Sequence, residues 1–522
     1  MVKYVSIFND VIGPIMTGPS SSHTAGPTRI GKLASQFVKN KLTKAEIYFE
    51  AKGSFAMIYI GQRSDKGLAG GLLGWEPEDS RIADSLSIAA NSGLDITFNI
   101  TDFDAAHPNT AKIIMTDSNG EKTFITGVSL GGGMVELTEF NGYEISICGD
   151  YYELLVNLNS GEISSSQITD ILLDYEIEPQ KVDILKKNDE TLVNIKLSTK
   201  LSDEILNKIR NINFVEHVKL IKPVLQILSR KDCTVPFDSS DDILSFTRSE
   251  NKDLFQAALF YECARGSISE IEIMDKMKYI LKIMKESIKD GLSSSSEMPY
   301  ILQHQAHLIK KAEHEGRLVN LGVLNKIIYS AMACMETSSS MGVVVAAPTA
   351  GSCGIIPGTL ISICEEMALN DEECIKALLV SGLIGVLIAS HATFAAEVCG
   401  CQAECGSASC MAAAGIVYLM GGTVKQSFAA ASLALQNVLG LVCDPVASLA
   451  EIPCMTRNIM AASNAVSCAN MALAGVDEVI PLDEVIESMY SVGKMLPREL
   501  RCTCLGGLAN TKTGLKFSNK LL

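Results

Sequence analysis

Four thiols stand close together at Cys399, Cys401, Cys405 and Cys410, and two more follow at Cys443-Asp444-Pro445 and Ile452-Pro453-Cys454. Soft, deprotonated sulfur from separate loops is what an iron-sulfur cluster requires, and proline beside a ligand stiffens the loop that presents it. Zinc could use Cys399, Cys401 and Cys405, although none of them forms the paired C-x₂-C arrangement of a zinc knuckle. Any single one of these thiols can also be a small buried hydrophobe. Near the N-terminus, Gly18-Pro19-Ser20-Ser21-Ser22-His23-Thr24-Ala25-Gly26-Pro27 places hydroxyls and an imidazole just ahead of an expected helix. Such a loop can hold a carboxylate through amides and hydroxyls while His23 moves a proton; the plainer alternative is a serine-rich helix cap. Glu336 to Gly342 and Ala347-Pro348-Thr349-Ala350-Gly351-Ser352-Cys353-Gly354 offer similar chemistry, or simple helix termination.

These residues need elements to position them. Residues 1–148 read as an α/β domain, with a helix near Thr28 to Lys39 and a strand Ala45 to Glu50. A hairpin is expected across Asn119-Gly120. Residues 149–222 read as βαββαβ, with strands at 153–158, 181–187, 191–197 and 217–221 and helices at 164–173 and 202–212, a ferredoxin-like pattern. Ser202 is the expected N-cap of the second helix, followed by Asp203 and Glu204 and an apolar face of Ile205, Leu206 and Ile209. A polar, turn-rich connector follows, and residues 230–522 read as all-α, with helices at Asp253–Arg265 and Ser269–Ile288 and then close-packed Ala-, Gly- and Ser-rich segments. His304, His307 and His314 are expected in a polar helix, solvated or ion-paired, and His391 as a satisfied core residue.

The 522 residues call for several domains, and the 47% hydrophobic and 20% charged content is that of an ordinary globular protein. A net charge of −16 with no basic patch argues against nucleic acid and anionic lipid as partners. Apolar stretches at 340–364 and 382–401 are broken by Pro, His or Glu, so packed helices are expected rather than membrane spans. No secretory leader is evident, which makes the cytoplasm the expected location, and the 16 cysteines point to metal or redox chemistry rather than disulfides. Nucleotide-binding glycine loops, H-E-x-x-H and a nucleophile elbow are not found in the sequence.

The chain resembles the bacterial iron-sulfur L-serine dehydratases, with their β and α portions fused. The resemblance rests on the loop Gly18 to Gly26, His107-Pro108-Asn109-Thr110, Gly127 to Gly133, Ala347 to Gly354, Gly400-Cys401-Gln402-Ala403-Glu404, and Gly440 to Pro445 through Cys454. It implies a [4Fe-4S] cluster on Cys401, Cys443 and Cys454, with one iron open to the substrate. It also implies elimination of water from L-serine to give pyruvate and ammonia, with His23 as base. Ser20, Ser21, Ser22, Thr24, Thr349, Gly351 and Ser352 would bind the substrate, with Ser338 and Ser339 as weaker candidates. Oxygen sensitivity follows from an open iron. Residues 149–222 look like an ACT domain that pairs with its copy in a homodimer; the loop Asn157 to Glu162 lacks the usual effector-binding turn. Action on threonine or another β-hydroxy amino acid, or cluster-based sensing without catalysis, are the alternatives.

Overall fold

The computed structural model describes residues 4–159, 166–188, 190–213, 215–293 and 301–521. Three hydrophobic cores are found among them: one built mainly on the helices past residue 227 that also takes in Ile7 to Ala25, one on the first sheet that also takes in Leu155, Leu192 and Ile221, and one from Leu154 to Ile209.

The first unit is a six-stranded sheet in the order Asp95–Thr101, Leu42–Glu50, Thr110–Asp117, Lys122–Gly131, Met134–Phe140 and Tyr143–Ile147. Its first pair is parallel and the rest are antiparallel. The expected hairpin closes with Thr116 opposite Lys122, and Gly120 takes the positive φ its turn requires. Helix Gly26–Ser35 covers the sheet, beginning two residues earlier than expected. Pro27 occupies its first turn, where a missing N–H costs nothing, and the chain leaves the helix to enter the strand at Leu42. Helix Ser64–Leu72 crosses it closely, since a Cβ on Gly71 would stand 2.0 Å from the Thr28 carbonyl oxygen.

The second unit has the order Val215–Ile221, Tyr152–Asn159, Glu190–Leu197 and Lys181–Lys187, antiparallel throughout. Helices Ser166–Asp174 and Asp203–Arg210 complete βαββαβ in sequence. The Ser202 hydroxyl caps the second helix by accepting from the Ile205 N–H, and Ile205, Leu206 and Ile209 are buried. The expected start of the first helix, and Ser160 to Glu162 of the adjoining loop, lie outside the described residues.

The third unit is helical. Leu254–Gly266 carries a capping box from Asp253 to Gln256, and Glu270–Ser293 extends beyond the expected end. In Ser407–Leu419 every residue from Ser407 to Val417 is buried, which small side chains permit when helices surround one another. Asp371–His391 is the one helix among the described residues long and apolar enough to cross a membrane; 78% of its apolar window is buried inside the protein, as in a core helix. His391 is not the core residue expected. It ends that helix in solvent, 2.6 Å from the Asp238 carbonyl oxygen. His304 lies just ahead of helix Ala306–His314, paired with buried Glu336 at 3.1 Å.

One arrangement was not foreseen. The N-terminal segment packs into the helical core through Ile7, Phe8, Val11 and Ile12, not onto the sheet that follows it. The Ser6 hydroxyl and the Ile7 N–H both donate to buried Glu262, at 2.6 and 2.8 Å. Strand Ile15–Thr17 then pairs antiparallel with Val343–Val345. The serine loop follows the first of these strands and the Thr349 loop follows the second, so this short ribbon brings the two loops side by side.

Candidate active site

Ser20 is extended and its hydroxyl accepts from the His23 N–H, winding Ser21–Ala25 into a tight turn that runs into helix Gly26–Ser35. His23 is thereby turned inward and is fully buried. Its Nδ1 lies 2.8 Å from Ser22 Oγ, its Nε2 lies 3.1 Å from Ser54 Oγ, and Phe55 meets the ring edge-on. Burial, reinforced by nearby His107, pushes its pKa down to about 3, so the imidazole is neutral near pH 7. The other loop residues divide. Thr24 commits its hydroxyl to the Gln62 carbonyl, and Ser20 commits its own to the turn. Ser21 Oγ accepts from the Ala350 N–H at 3.4 Å, which ties the loop to the helical unit. Ser129 donates to the Ser22 carbonyl at 2.7 Å, and only a glycine fits opposite it, because a Cβ at Gly26 would stand 2.3 Å from Ser129 Oγ.

The Thr349 loop faces the thiols. Thr349 caps a short turn, Ala350–Ser352, and its hydroxyl donates to Glu404 Oε1 at 2.7 Å. Gly351 leaves room for that carboxyl, since a Cβ there would lie 2.9 Å from Glu404 Oε1. Burial pushes Glu404 up to about 8, and the Cys401 thiolate adds to the effect. Ser352 points inward, at 3.3 Å from the carbonyls of Ala347 and Thr349.

Cys401 sits between Gly400, with φ +73°, and the turn Gln402–Gly406. Its sulfur contacts Cys405 at 3.4 Å; that contact and then Arg457 bring its pKa down to about 7 against the opposing effect of burial. Cys443 is pushed up by its contact with Cys502, by burial, and by Glu404 and Cys401. Cys454 opens helix Cys454–Leu473 and is pushed up by burial, then by Cys401 and Glu404. The three expected thiols therefore arrive from three loops into one electrostatic neighbourhood. Arg457 links two of those loops, donating to the Val442 carbonyl at 2.7 Å and to Asp444 at 2.8 Å. Among the described residues no group of three or more His, Cys, Asp or Glu side chains is placed to hold a single metal ion. Cys353 and Cys410 behave as small buried hydrophobes: Cys353 packs on Cys334 and Met335, and burial pushes the Cys410 thiol up.

Several participants carry little or no signal in the sequence. Cys502 donates its N–H to the Cys443 carbonyl at 2.9 Å and brings its thiol to Cys443; its spacing to Cys504 was the available signal. Ser54 carried no signal at all. Glu397, in the helical unit, receives Asn109 Nδ2 at 2.6 Å and also Ser22, which closes the seam between the two units at His23.

The comparisons with known proteins divide the chain into an N-terminal and a C-terminal match. The family model described as serine dehydratase alpha chain matches residues 186–509, and that described as serine dehydratase beta chain matches residues 6–92. The chain is 37% identical over 285 residues to the probable L-serine dehydratase alpha chain of Bacillus subtilis, covering 55% of this chain and 95% of that one. It is 38% identical over 286 residues to the L-serine dehydratase alpha chain of Peptoniphilus asaccharolyticus, 55% of this chain and 98% of the other. The probable beta chain of Bacillus subtilis is 36% identical over 222 residues, 42% of this chain and 99% of its own length.

Proposed function

The chain belongs to the serine dehydratase family, and from that premise we propose that it converts L-serine to pyruvate and ammonia with a [4Fe-4S] cluster held by Cys401, Cys443 and Cys454. The observation that carries the reading is the seam itself: the loop that holds the buried neutral imidazole is bonded to the Thr349 loop, and that loop holds a protonatable carboxyl which acts on, or is acted on by, Cys401, Cys443 and Cys454. The donor set fits an iron-sulfur group. Cys401, Cys454 and Glu404 share one guanidinium, Arg457, which is already paired with Asp444, and Cys443 has no cation acting on it among the described residues, so a centre that binds thiolate and brings positive charge suits the three thiols better than further protein contacts would. When bound, such a cluster supplies a Lewis-acidic iron for the β-hydroxyl of the substrate.

The protein's own groups do the rest. His23 is the base assigned to the α-proton, and it is already neutral. Ser22 and Ser54 hold both ring nitrogens, so the ring can neither rotate nor exchange with solvent freely. Thr349 holds Glu404 beside the thiols, and a carboxyl with its pKa near 8 carries a proton at neutral pH that it can give to departing hydroxide. Ser21, Ser22 and the Thr349 loop provide hydroxyls and amides for the substrate. Ser20, Thr24 and Ser352 act by shaping those loops. We read the βαββαβ unit as an ACT domain that pairs with its copy in a homodimer, which sedimentation would test.

The deciding experiment is pyruvate release from L-serine by anaerobically purified protein, with iron and sulfide measured and the visible spectrum followed in air. Activity that fades together with the brown absorbance is expected. A colourless, active protein would remove the cluster from the reading, and turnover of L-threonine in place of L-serine would change its substrate.

A further inference from the structure

The seam contains groups that the mechanism above does not use. A cavity of about 300 Å³ opens beside Ser54, the hydrogen-bond partner of His23, and its wall carries one carboxylate, Glu397, and three cations, Lys52, Arg498 and Arg501. Next to Pro108 on that wall is Asn109, which is fully buried. Its amide nitrogen donates to Glu397 at 2.6 Å and to the Ser129 carbonyl at 3.4 Å, which fixes the orientation of the side chain. Its amide oxygen is then left buried with no hydrogen-bond partner among the described residues. A buried acceptor left unpaired is costly, so the position favours a ligand that can donate. Burial pushes the Glu397 carboxyl up, and it accepts only from neutral donors, Asn109 and Ser22, so an incoming ammonium would favour its charged form. The Glu397 carboxyl thus lines a cavity that also carries three cations, and Asn109, bonded to that carboxyl, follows Pro108 of the same wall with its amide oxygen unpaired. An α-amino acid has the matching polarity, with an ammonium carrying three N–H donors one carbon away from a carboxylate.

We infer that Glu397 and the Asn109 amide oxygen bind the α-ammonium group of the substrate, while Arg498, Arg501 and Lys52 draw in its carboxylate. This rests on the reading of the site as one for a β-hydroxy amino acid, and it names what makes the site choose an amino acid over a hydroxy acid. The ammonium also holds the α-carbon on the side of the cavity where Ser54 and His23 lie. The Ala392 to Cys399 segment then contributes to recognition through Glu397 directly.

The test is anaerobic calorimetry on the full, iron-loaded protein with two probes that have no leaving group, L-alanine and propionate. Wild type should bind L-alanine at least tenfold more tightly than propionate. Glu397→Gln, which preserves shape and removes charge, should weaken L-alanine roughly ten- to hundredfold and propionate hardly at all. Its visible spectrum should be unchanged. Equal affinity of wild type for the two probes would overturn the inference without any variant, as would unchanged discrimination in Glu397→Gln. Both outcomes are read from binding, so they stand apart from failure to form pyruvate, which would instead sink the proposed reaction.

Discussion

The two sides of the seam solve opposite problems with similar burial. On the imidazole side His23 has a hydroxyl at each nitrogen and an aromatic edge, and the low dielectric simply keeps it neutral. On the thiol side Cys401, Cys454 and Glu404 lie within reach of Arg457 and Cys443 lies against Cys502; burial drives Cys454 and Glu404 toward their protonated forms, and the Cys502 contact followed by burial does the same to Cys443. On the first side both ring nitrogens of His23 have partners within the chain. The second is matched to a positive centre, and its residues repel one another when charged. Substitutions should therefore fail differently on the two sides.

The largest effect is expected from Cys443→Ala, which should lose bound iron and sulfide and reduce pyruvate formation to background. Retention of a full iron complement would remove Cys443 from the ligand set and dissolve the contrast between the sides. His23→Ala should keep iron and colour yet lower kcat by about 10² to 10⁴, the range of a general base. A His23→Ala protein that loses its iron would mean that the imidazole side supports the thiol side structurally. Arg457→Met tests the charge argument. It breaks a largely buried pair with Asp444 whose side chains are 15% and 4% exposed, so a loss of about 3 kcal/mol is expected. Iron content should fall with it, since the Cys443 loop is tied through Arg457 to the helix that Cys454 begins. Unaltered thermal stability and iron would show that Arg457 does neither job.

How much of this was legible depended on the range of the interaction. Local signals were sound: Ser202 capped its helix, Asn119-Gly120 turned its hairpin, and the βαββαβ order appeared as spaced. The three thiols and the serine loop could be named through the family resemblance, since spacing alone left each cysteine as well explained by burial and the serine loop by a helix cap. What could not be read was who would meet whom. Ile7 and Val11 looked like apolar residues of the first domain, but their partners are the glycines Gly382 and Gly385 of a helix far along the chain. Ser54 and Glu397 are ordinary residues until the seam places one on His23 and the other on Asn109. His391 was misread for a related reason. Its neighbours in sequence are apolar, yet the helix leaves the core in its last turn.

The smallest expected effect is also the most direct measure of the opposition between the two sides, because their contributions to stability should tilt in opposite directions with pH. His23 has its pKa lowered from 6.5 to about 3 by burial. Between those values the unfolded chain binds a proton that the folded protein refuses. Stability from this group is therefore full above about 6.5 and falls by about 1.4 kcal/mol per pH unit on acidification toward 3. Glu404 is raised from 4.5 to about 8, so in cofactor-free protein its contribution is full below 4.5 and is lost as pH rises through 8. Thermal midpoints of cofactor-free wild type, His23→Gln and Glu404→Gln across pH 4 to 9, a window spanning about both transitions, would separate them. The histidine variant should remove the rise in stability up to about pH 6.5 and the glutamate variant the fall between about 4.5 and 8, so the two are told apart below 4.5 and above 6.5. Three parallel curves would mean that burial does not set the protonation of either group, and the account of both sides would have to be rebuilt from specific contacts.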